Sequence, residues 1–234
     1  MPGPINLNIL SASIGSGPVD IDVCAQSQSG GEATGPIAID CSEGTVVPGD
    51  RNLISGRSAS SLTVEKDGFS ATTAANWDRI ETGIVFPAGK TAILTLKRDG
   101  VQNAAKTVIG IGVRDSAGNM LVAAINSKGT GEAHQVTVLD NTLTFGDVLS
   151  THNRVTLILR RDAQGNMLRR GFADWYTPDG TRYDGPLVEF GTNVHLTDEP
   201  QIIILVASNA IAAGVETVNV EASYQFADLP ADES

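Results

Sequence analysis

Short runs in which apolar and polar residues alternate recur along the chain, and Gly, Asn, Ser or Pro residues separate them. Val155, Leu157 and Leu159, for example, are spaced by two, which is the period of a strand that buries one face. Only residues 74–79 and 208–213 interrupt this pattern, and they suggest short helical or irregular segments. The pattern therefore predicts an all-β fold, an antiparallel β-sandwich with little helix.

One octet occurs twice. Residues 114–121 read RDSAGNML, and residues 161–168 read RDAQGNML, each between two predicted strands. An Asp that bonds to its own following backbone and a Gly-Asn pair that tolerates positive φ are typical of tight turns, so the repeat predicts two equivalent β-hairpins. A closure from Asp162 to Met167 would place Leu157 opposite Phe172 and Arg160 opposite Arg169.

The density of apolar residues divides the chain into three parts. Residues 1–60 hold short alternating segments among Gly, Ser and Pro, and we expect an N-terminal extended arm whose residues 44–61 act as a linker. Residues 61–228 are expected to form the sandwich, and residues 229–234 an acidic tail. The arm is too poor in apolar residues for a core of its own, so it should pack on its own chain or add a strand to a neighbour.

Charge and composition narrow the choice of partners. The net charge is −11 with a pI near 4.6, which argues against nucleic acid as a partner, and no apolar run is long enough to span a membrane. The N-terminus lacks the features of a signal peptide, so we expect Cys24 and Cys41 to be reduced thiols in a cytoplasm. The first 50 residues contain six acids and no Lys or Arg.

The chain resembles two known groups of proteins. Residues 62–226, with an early segment at Phe69, two hairpins with Asp-x-x-Gly-Asn turns and a closing strand at 215–226, resemble concanavalin A-like or laminin G-like jelly-roll sandwiches. In overall style, with few aromatic residues, much Thr, Val, Ala and Gly, and an arm before a sandwich, the chain also resembles structural proteins of tailed-phage virions. The first resemblance implies a jelly roll, and the second implies a role in assembly.

Residues for catalysis are few. His134, His152 and His195 stand apart from one another and from metal-ligand spacings, so we predict no metal-ligating residues. Asp20 and Asp22 alternate as glycosidase acids do in related jelly rolls, but they fit the polar face of an edge strand better. No cofactor is expected. Calcium in the loops is a lesser alternative, with oxygens from Asp115, Asn119, Asp162, Asn166, Asp179 and Asp184.

Two surfaces are candidates for recognition. The first is an interface in which acids of one copy meet arginines of another, and its residues are Arg160, Arg161, Arg169, Arg170, Asp20, Asp22 and Asp40. The second is a glycan site at the densest group of aromatic residues and carboxylates, with Trp175, Tyr176, Asp179, Tyr183 and Asp184 as its residues.

These features together favour a non-enzymatic structural protein of a virus particle, such as a phage head-decoration or tail component. It would assemble as a homo-oligomer through its N-terminal arm and sheet edges, with itself and other virion proteins as partners. Its location would be the virion, assembled in the host cytoplasm. The alternative is a lectin-like β-sandwich that binds a surface glycan, and a glycosidase is a more distant third.

Overall fold

The computed structural model describes most of the chain from residue 35 onwards. The described residues are 35–49, 52–67, 77–98, 107–126, 135–138, 141–144, 153–168, 171–176, 180, 188–190, 196, 199–208 and 213–230. All regular elements among them are strands, which confirms the prediction of an all-β fold. The described residues contain no helix that is long and apolar enough to cross a membrane.

Fifteen strands form in the described residues. In chain order they are β1 (Ile37–Ile39), β2 (Thr45–Val47), β3 (Ile54–Ser58), β4 (Ser61–Asp67), β5 (Asp78–Val85), β6 (Lys90–Arg98), β7 (Thr107–Arg114), β8 (Met120–Asn126), β9 (Gln135–Val138), β10 (Asn141–Thr144), β11 (Arg154–Arg160), β12 (Gly171–Tyr176), β13 (Val188–Phe190), β14 (Gln201–Ser208) and β15 (Ala213–Asp228).

The strands form two antiparallel sheets, as predicted for a sandwich. The first sheet has the order β13-β12-β11-β6-β15-β4-β3, and β1 pairs with β15 beside that path. The second sheet has the order β10-β9-β8-β7-β14-β5-β2. Strands that are far apart in the chain are neighbours in both sheets: β15 lies beside β6, and β14 lies between β5 and β7. This architecture fits the concanavalin A-like jelly roll expected from the sequence.

One apolar core lies between the sheets. The first sheet contributes alternate residues such as Leu94, Leu96 and Leu157, and the second contributes residues such as Ile111 and Ile204, all fully buried. In β11 the burial alternates strictly between buried and half-buried positions. The alternation read from the sequence is therefore the alternation between the core and the outer face of this sheet.

Part of the predicted linker belongs to the sandwich. Strands β2 and β3 lie within residues 44–61, and Leu53 and Ile54 are buried in the core. The carboxylate of Asp78, which is also fully buried, accepts hydrogen bonds from the backbone N–H groups of Gly49 (2.8 Å) and Ile54 (2.9 Å). Strands β1, β2 and β3, which precede the expected boundary of 60/61, thus pair within the two sheets, and the boundary itself stays a prediction. Residues 1–34 lie outside the described residues.

The pairing of the second hairpin also differs from the prediction. Arg161 bridges Met167, but further along β11 Leu157 pairs with Ala173 and Ile158 with Phe172. The predicted pair of Leu157 with Phe172 is wrong. At the start of the returning chain, the backbone N–H of Leu168 donates to Arg160 O (2.9 Å). From the Arg161–Met167 pair to the Ile158–Phe172 pair, the chain covers three residues in the first arm of the hairpin and five in the second arm. The second arm therefore contains two extra residues, which a uniform hairpin does not contain.

At the C-terminal end, β15 runs to Asp228, whose carboxylate lies 2.5 Å from Lys90 Nζ. Residues 229 and 230 follow the strand, and residues 231–234 of the expected acidic tail lie outside the described residues.

Candidate functional site

The outer face of the first sheet carries a polar surface that crosses four strands. Register aligns Tyr176 of β12, Arg154 of β11, Lys97 of β6 and Glu221 of β15 in one row. A second row of the register holds Thr156, Thr95 and Ser223, with Asp174 as the partner of Thr156 in β12. We call the outer positions Thr95, Lys97, Arg154, Thr156, Glu221 and Ser223 the polar face.

Contacts within the polar face link its strands. Thr95 Oγ1 and Thr156 Oγ1 are 3.3 Å apart, and Lys97 Nζ lies 3.2 Å from both carboxylate oxygens of Glu221. The side chains of Lys97 and Glu221 are 39% and 68% exposed, so the ion pair is a solvent-screened one of small energy. Hydroxyl, ammonium, guanidinium and carboxylate groups thus stand side by side where water and solutes reach them.

The outer face of the second sheet has the opposite character. On β7, β8 and β14, one set of alternate residues joins the central core, and the other set forms a separate buried cluster. We call this second cluster the apolar patch, and its residues are Trp77, Val108, Met120, Val122, Ala124, Ile203, Leu205 and Ala207. The two outer faces of the sandwich are therefore distinct surfaces, one polar and half-exposed and one apolar and buried.

The predicted glycan residues are separated by the register of β12. Trp175 pairs with Val155, which is buried in the core, whereas Tyr176 pairs with Arg154 of the polar face. Of the predicted glycan residues, Tyr176 therefore shares its row with Arg154 and Trp175 shares its row with Val155, and their role in glycan binding stays a prediction. Asp179, Tyr183 and Asp184 lie outside the described residues.

Sequence reasoning missed the larger part of the polar face. The segment Thr91–Lys97 does place two threonines and a lysine among its four alternate positions, with an isoleucine at the fourth, which could have indicated a polar outer face. Nothing local shows, however, that β6 lies between β11 and β15, because those partners are about 60 and 130 residues away in the chain.

The predicted interface residues are spread over several environments. Arg160 pairs with Thr91 at the outer face, and Arg169, Arg170, Asp20 and Asp22 lie outside the described residues. Asp40 is exposed, and its carboxylate accepts hydrogen bonds from the backbone N–H and hydroxyl of Ser42, which lower the pKa of that carboxyl. Association between copies through these residues stays a prediction.

Arg161 differs from the other predicted interface residues that the structure describes, because it is buried within its own chain and only 4% exposed. Its Nε donates to Gly165 O (2.9 Å), one terminal nitrogen donates to Phe86 O (2.6 Å), and the guanidinium lies 5.6 Å from the centre of the Phe86 ring. Burial lowers the pKa of this guanidinium, and Glu199 and Asp162 oppose that effect. Arg161 therefore stabilises its own turn and does not present its charge at the surface.

The two copies of the octet form the same turn. The backbone N–H and side-chain amide of Asn119 donate to Asp115 (2.7 and 2.8 Å), and Asn166 donates to Asp162 in the same way (2.8 and 2.9 Å). These hydrogen bonds lower the pKa of the Asp162 carboxyl. These hydrogen bonds between Asp and Asn close both turns, as expected for a tight turn with this sequence, and calcium in the loops stays an untested alternative.

The described residues contain no group of three or more His, Cys, Asp or Glu side chains arranged to hold a metal ion. Cys41 is a free thiol in the core, and burial, with a smaller contribution from Asp40, raises its pKa to about 11. Cys24 lies outside the described residues.

Several solved structures share the fold. Apo Crh5 transglycosylase matches with a TM-score of 0.47 and 12% identity, over 86% of this chain and 87% of that one. A β-1,3-glucanase from Mycobacterium marinum has a TM-score of 0.36 and 13% identity over 68% and 73% of the two chains. A glycosyl hydrolase family 16 protein from Mycobacterium smegmatis has 0.38 and 12%, over 70% and 74%. No family model and no curated protein matches the sequence.

These comparisons correct the functional prediction. At such low identity the likeness shows the fold alone, and the structures named above are a transglycosylase, a β-1,3-glucanase and a glycosyl hydrolase, none of them described as a virion protein. The prediction of a non-enzymatic structural protein of a virus particle is thereby contradicted, in both its virion and its non-enzymatic part. The alternative of a glycan-related sandwich agrees better with these structures.

Proposed function

We propose that this chain binds carbohydrate across the polar face of its first sheet. The observation that carries the proposal is the register of β12, β11, β6 and β15, which sets Tyr176 and Asp174 in the same two rows as Arg154, Thr156, Thr95, Lys97 and Glu221. The rows combine a tyrosine with hydroxyl, carboxylate and cationic groups.

Sugar recognition needs this mixture of groups. A sugar ring has an apolar C–H face that stacks on an aromatic ring, and its hydroxyls both donate and accept hydrogen bonds. Threonine hydroxyls and carboxylates can accept from them, and Arg and Lys can donate to them. The apolar patch on the other sheet is buried and offers a single indole, that of Trp77, among aliphatic residues and a methionine, so the polar face is the surface suited to an extended glycan.

The threonine pair of β6 and β11 provides a direct test. A glycan array would identify the strongest ligand, and isothermal titration calorimetry would measure its Kd with the Thr95→Ala/Thr156→Ala variant. We expect the affinity to fall about fivefold to tenfold, because a lost hydrogen bond to a sugar hydroxyl is worth about 1 kcal/mol. Tyr176→Ala should also weaken binding, since the stacking surface is lost.

A second threonine pair supplies the matched control. Thr63 Oγ1 and Thr217 Oγ1 are 3.4 Å apart on β4 and the first half of β15, on the same sheet but away from the polar face. The Thr63→Ala/Thr217→Ala variant should keep the wild-type Kd. An array without any bound glycan, or an equal loss of affinity in both double variants, would contradict the proposal.

A further inference from the structure

The apolar patch is covered by something other than the described strands. Its eight residues are each at most 4% exposed, although they lie on the face of the second sheet that points away from the core. All fifteen described strands belong to one of the two sheets, so none of them lies over this face. The described strands therefore do not account for the burial of this face.

We infer that residues 1–34 of the same chain lie over the apolar patch. This segment is the longest continuous stretch outside the described residues, whereas the internal stretches are each at most nine residues long. Fully extended, it reaches about 110 Å, and the three strands β14, β7 and β8 together are only about 10 Å across. Its length therefore suffices to cross the patch more than once.

The pattern of the segment suits this surface. Val19, Ile21 and Val23 alternate with Asp20 and Asp22, so a strand here has one apolar side and one acidic side. The apolar side is suited to contact with Val122, Leu205 and their neighbours. Residues 5–10 supply a second such run with Ile5, Leu7 and Ile9.

Charge at the rim of the patch points to the same occupant. Arg79 and Glu81 pair with Leu205 and Ile203 of the patch, and Arg114 pairs with Met120. Glu81 Oε1 lies 2.8 Å from Arg79 Nε and 3.5 Å from a terminal nitrogen of Arg114, so the described contacts set two guanidinium groups against one carboxylate. Residues 1–34 contain three acids and no Lys or Arg, and they complement this excess.

The apolar patch contains one polar group, the indole N–H of Trp77. Its Nε1 is buried and has no hydrogen-bond partner among the described residues. Buried N–H groups normally have an acceptor, and an extended peptide segment carries one carbonyl oxygen per residue. A peptide cover therefore fits the patch better than a purely apolar ligand does.

Trp77 also provides the probe. The chain has two tryptophans, so Trp175→Phe leaves Trp77 as the one fluorophore of its kind. In this background, removal of residues 2–33 should move the Trp77 emission to longer wavelength and raise its acrylamide quenching constant several-fold, with the far-UV circular dichroism of a β-protein retained. A folded truncated chain with unchanged emission and quenching would overturn the inference.

A measurement on the full-length chain covers the case in which the truncated chain does not fold. Cys24 can be labelled with a dansyl-type acceptor, because Cys41 is fully buried and its thiol is kept protonated, and Cys24→Ser serves as the unlabelled control. In the full-length Trp175→Phe chain, efficient energy transfer from Trp77 to the label, unchanged on dilution with unlabelled Trp77→Phe/Trp175→Phe chain, supports the inference. Absent transfer, or transfer that this dilution abolishes and so assigns to a second copy, overturns it.

Discussion

Single residues in this protein act across long stretches of chain, and Arg98 is the strongest example. It ends β6 in the first sheet, is 1% exposed, and donates to Thr107 O (2.9 Å) at the start of β7 in the second sheet. Its other terminal nitrogen lies 3.6 Å from Glu216 Oε1, and the hydroxyl of Thr107 donates to the same carboxylate. Burial lowers the pKa of Arg98, and Glu216 opposes that effect. This buried group therefore joins the two sheets at one end of the sandwich.

Removal of one partner should be worse than removal of both. Arg98→Met is expected to lower the free energy of unfolding by about 3 kcal/mol, because it leaves the Glu216 carboxylate without its buried cation. Arg98→Met/Glu216→Met should recover much of that loss, since neither charge of this pair then remains. Urea unfolding of the two variants measures the difference, and a double variant less stable than the single one would contradict this account.

At the scale of strands, close approach decides which residues a position accepts. A Cβ atom on Gly112 of β7 would stand 2.0 Å from Leu121 O and 2.7 Å from Val122 Cα in the neighbouring strand. Both contacts are to backbone, which cannot turn aside as a side chain does. Gly112 is therefore required by the pairing of β7 with β8, and the strand sequence Val-Ile-Gly-Ile-Gly-Val owes its glycines to that packing.

Gly112→Ala should destabilise the protein by about 1–3 kcal/mol, as overpacking of a core does. The matched control is Gly214→Ala in β15, where an added Cβ meets nothing within 4 Å. That control should stay within about 0.5 kcal/mol of the wild type. Thermal unfolding followed by circular dichroism compares the two, and equal melting temperatures would show that the β7–β8 contact had relaxed without cost.

At the scale of the whole molecule, the two sheets depend on one core. A single cluster includes Leu94, Leu157 and Val220 of the first sheet together with Ile111 and Ile204 of the second. Neither sheet can bury these residues alone, so we expect both sheets to unfold in one transition.

A substitution in one sheet should therefore be sensed by the other. Leu157→Ala in the first sheet is expected to cost about 2–5 kcal/mol. In the Trp175→Phe background, Trp77 fluorescence reports on the second sheet while far-UV circular dichroism reports on both. Their urea midpoints should fall together, and two separated midpoints would show that the sheets unfold independently.

Local patterns in the sequence determined the fold class and the positions of the two hairpin turns. The alternation of Val155, Leu157 and Leu159 identified β11, and the octet identified two equivalent turns, because strand period and turn chemistry are properties of neighbouring residues. The short strands β2 and β3 were missed, since a distant carboxylate, that of Asp78, holds the loop between them.

Pairing between distant strands was decided only by the tertiary structure. The sequence singled out Tyr176 and its neighbours, but the order β12-β11-β6-β15 is what aligns Tyr176 with Lys97 and Glu221, and a register shift in the second hairpin is what sets Trp175 opposite buried Val155. The physical reason is that a strand's faces follow from its own alternation, whereas its partners depend on core packing and hydrogen bonding across the whole sheet.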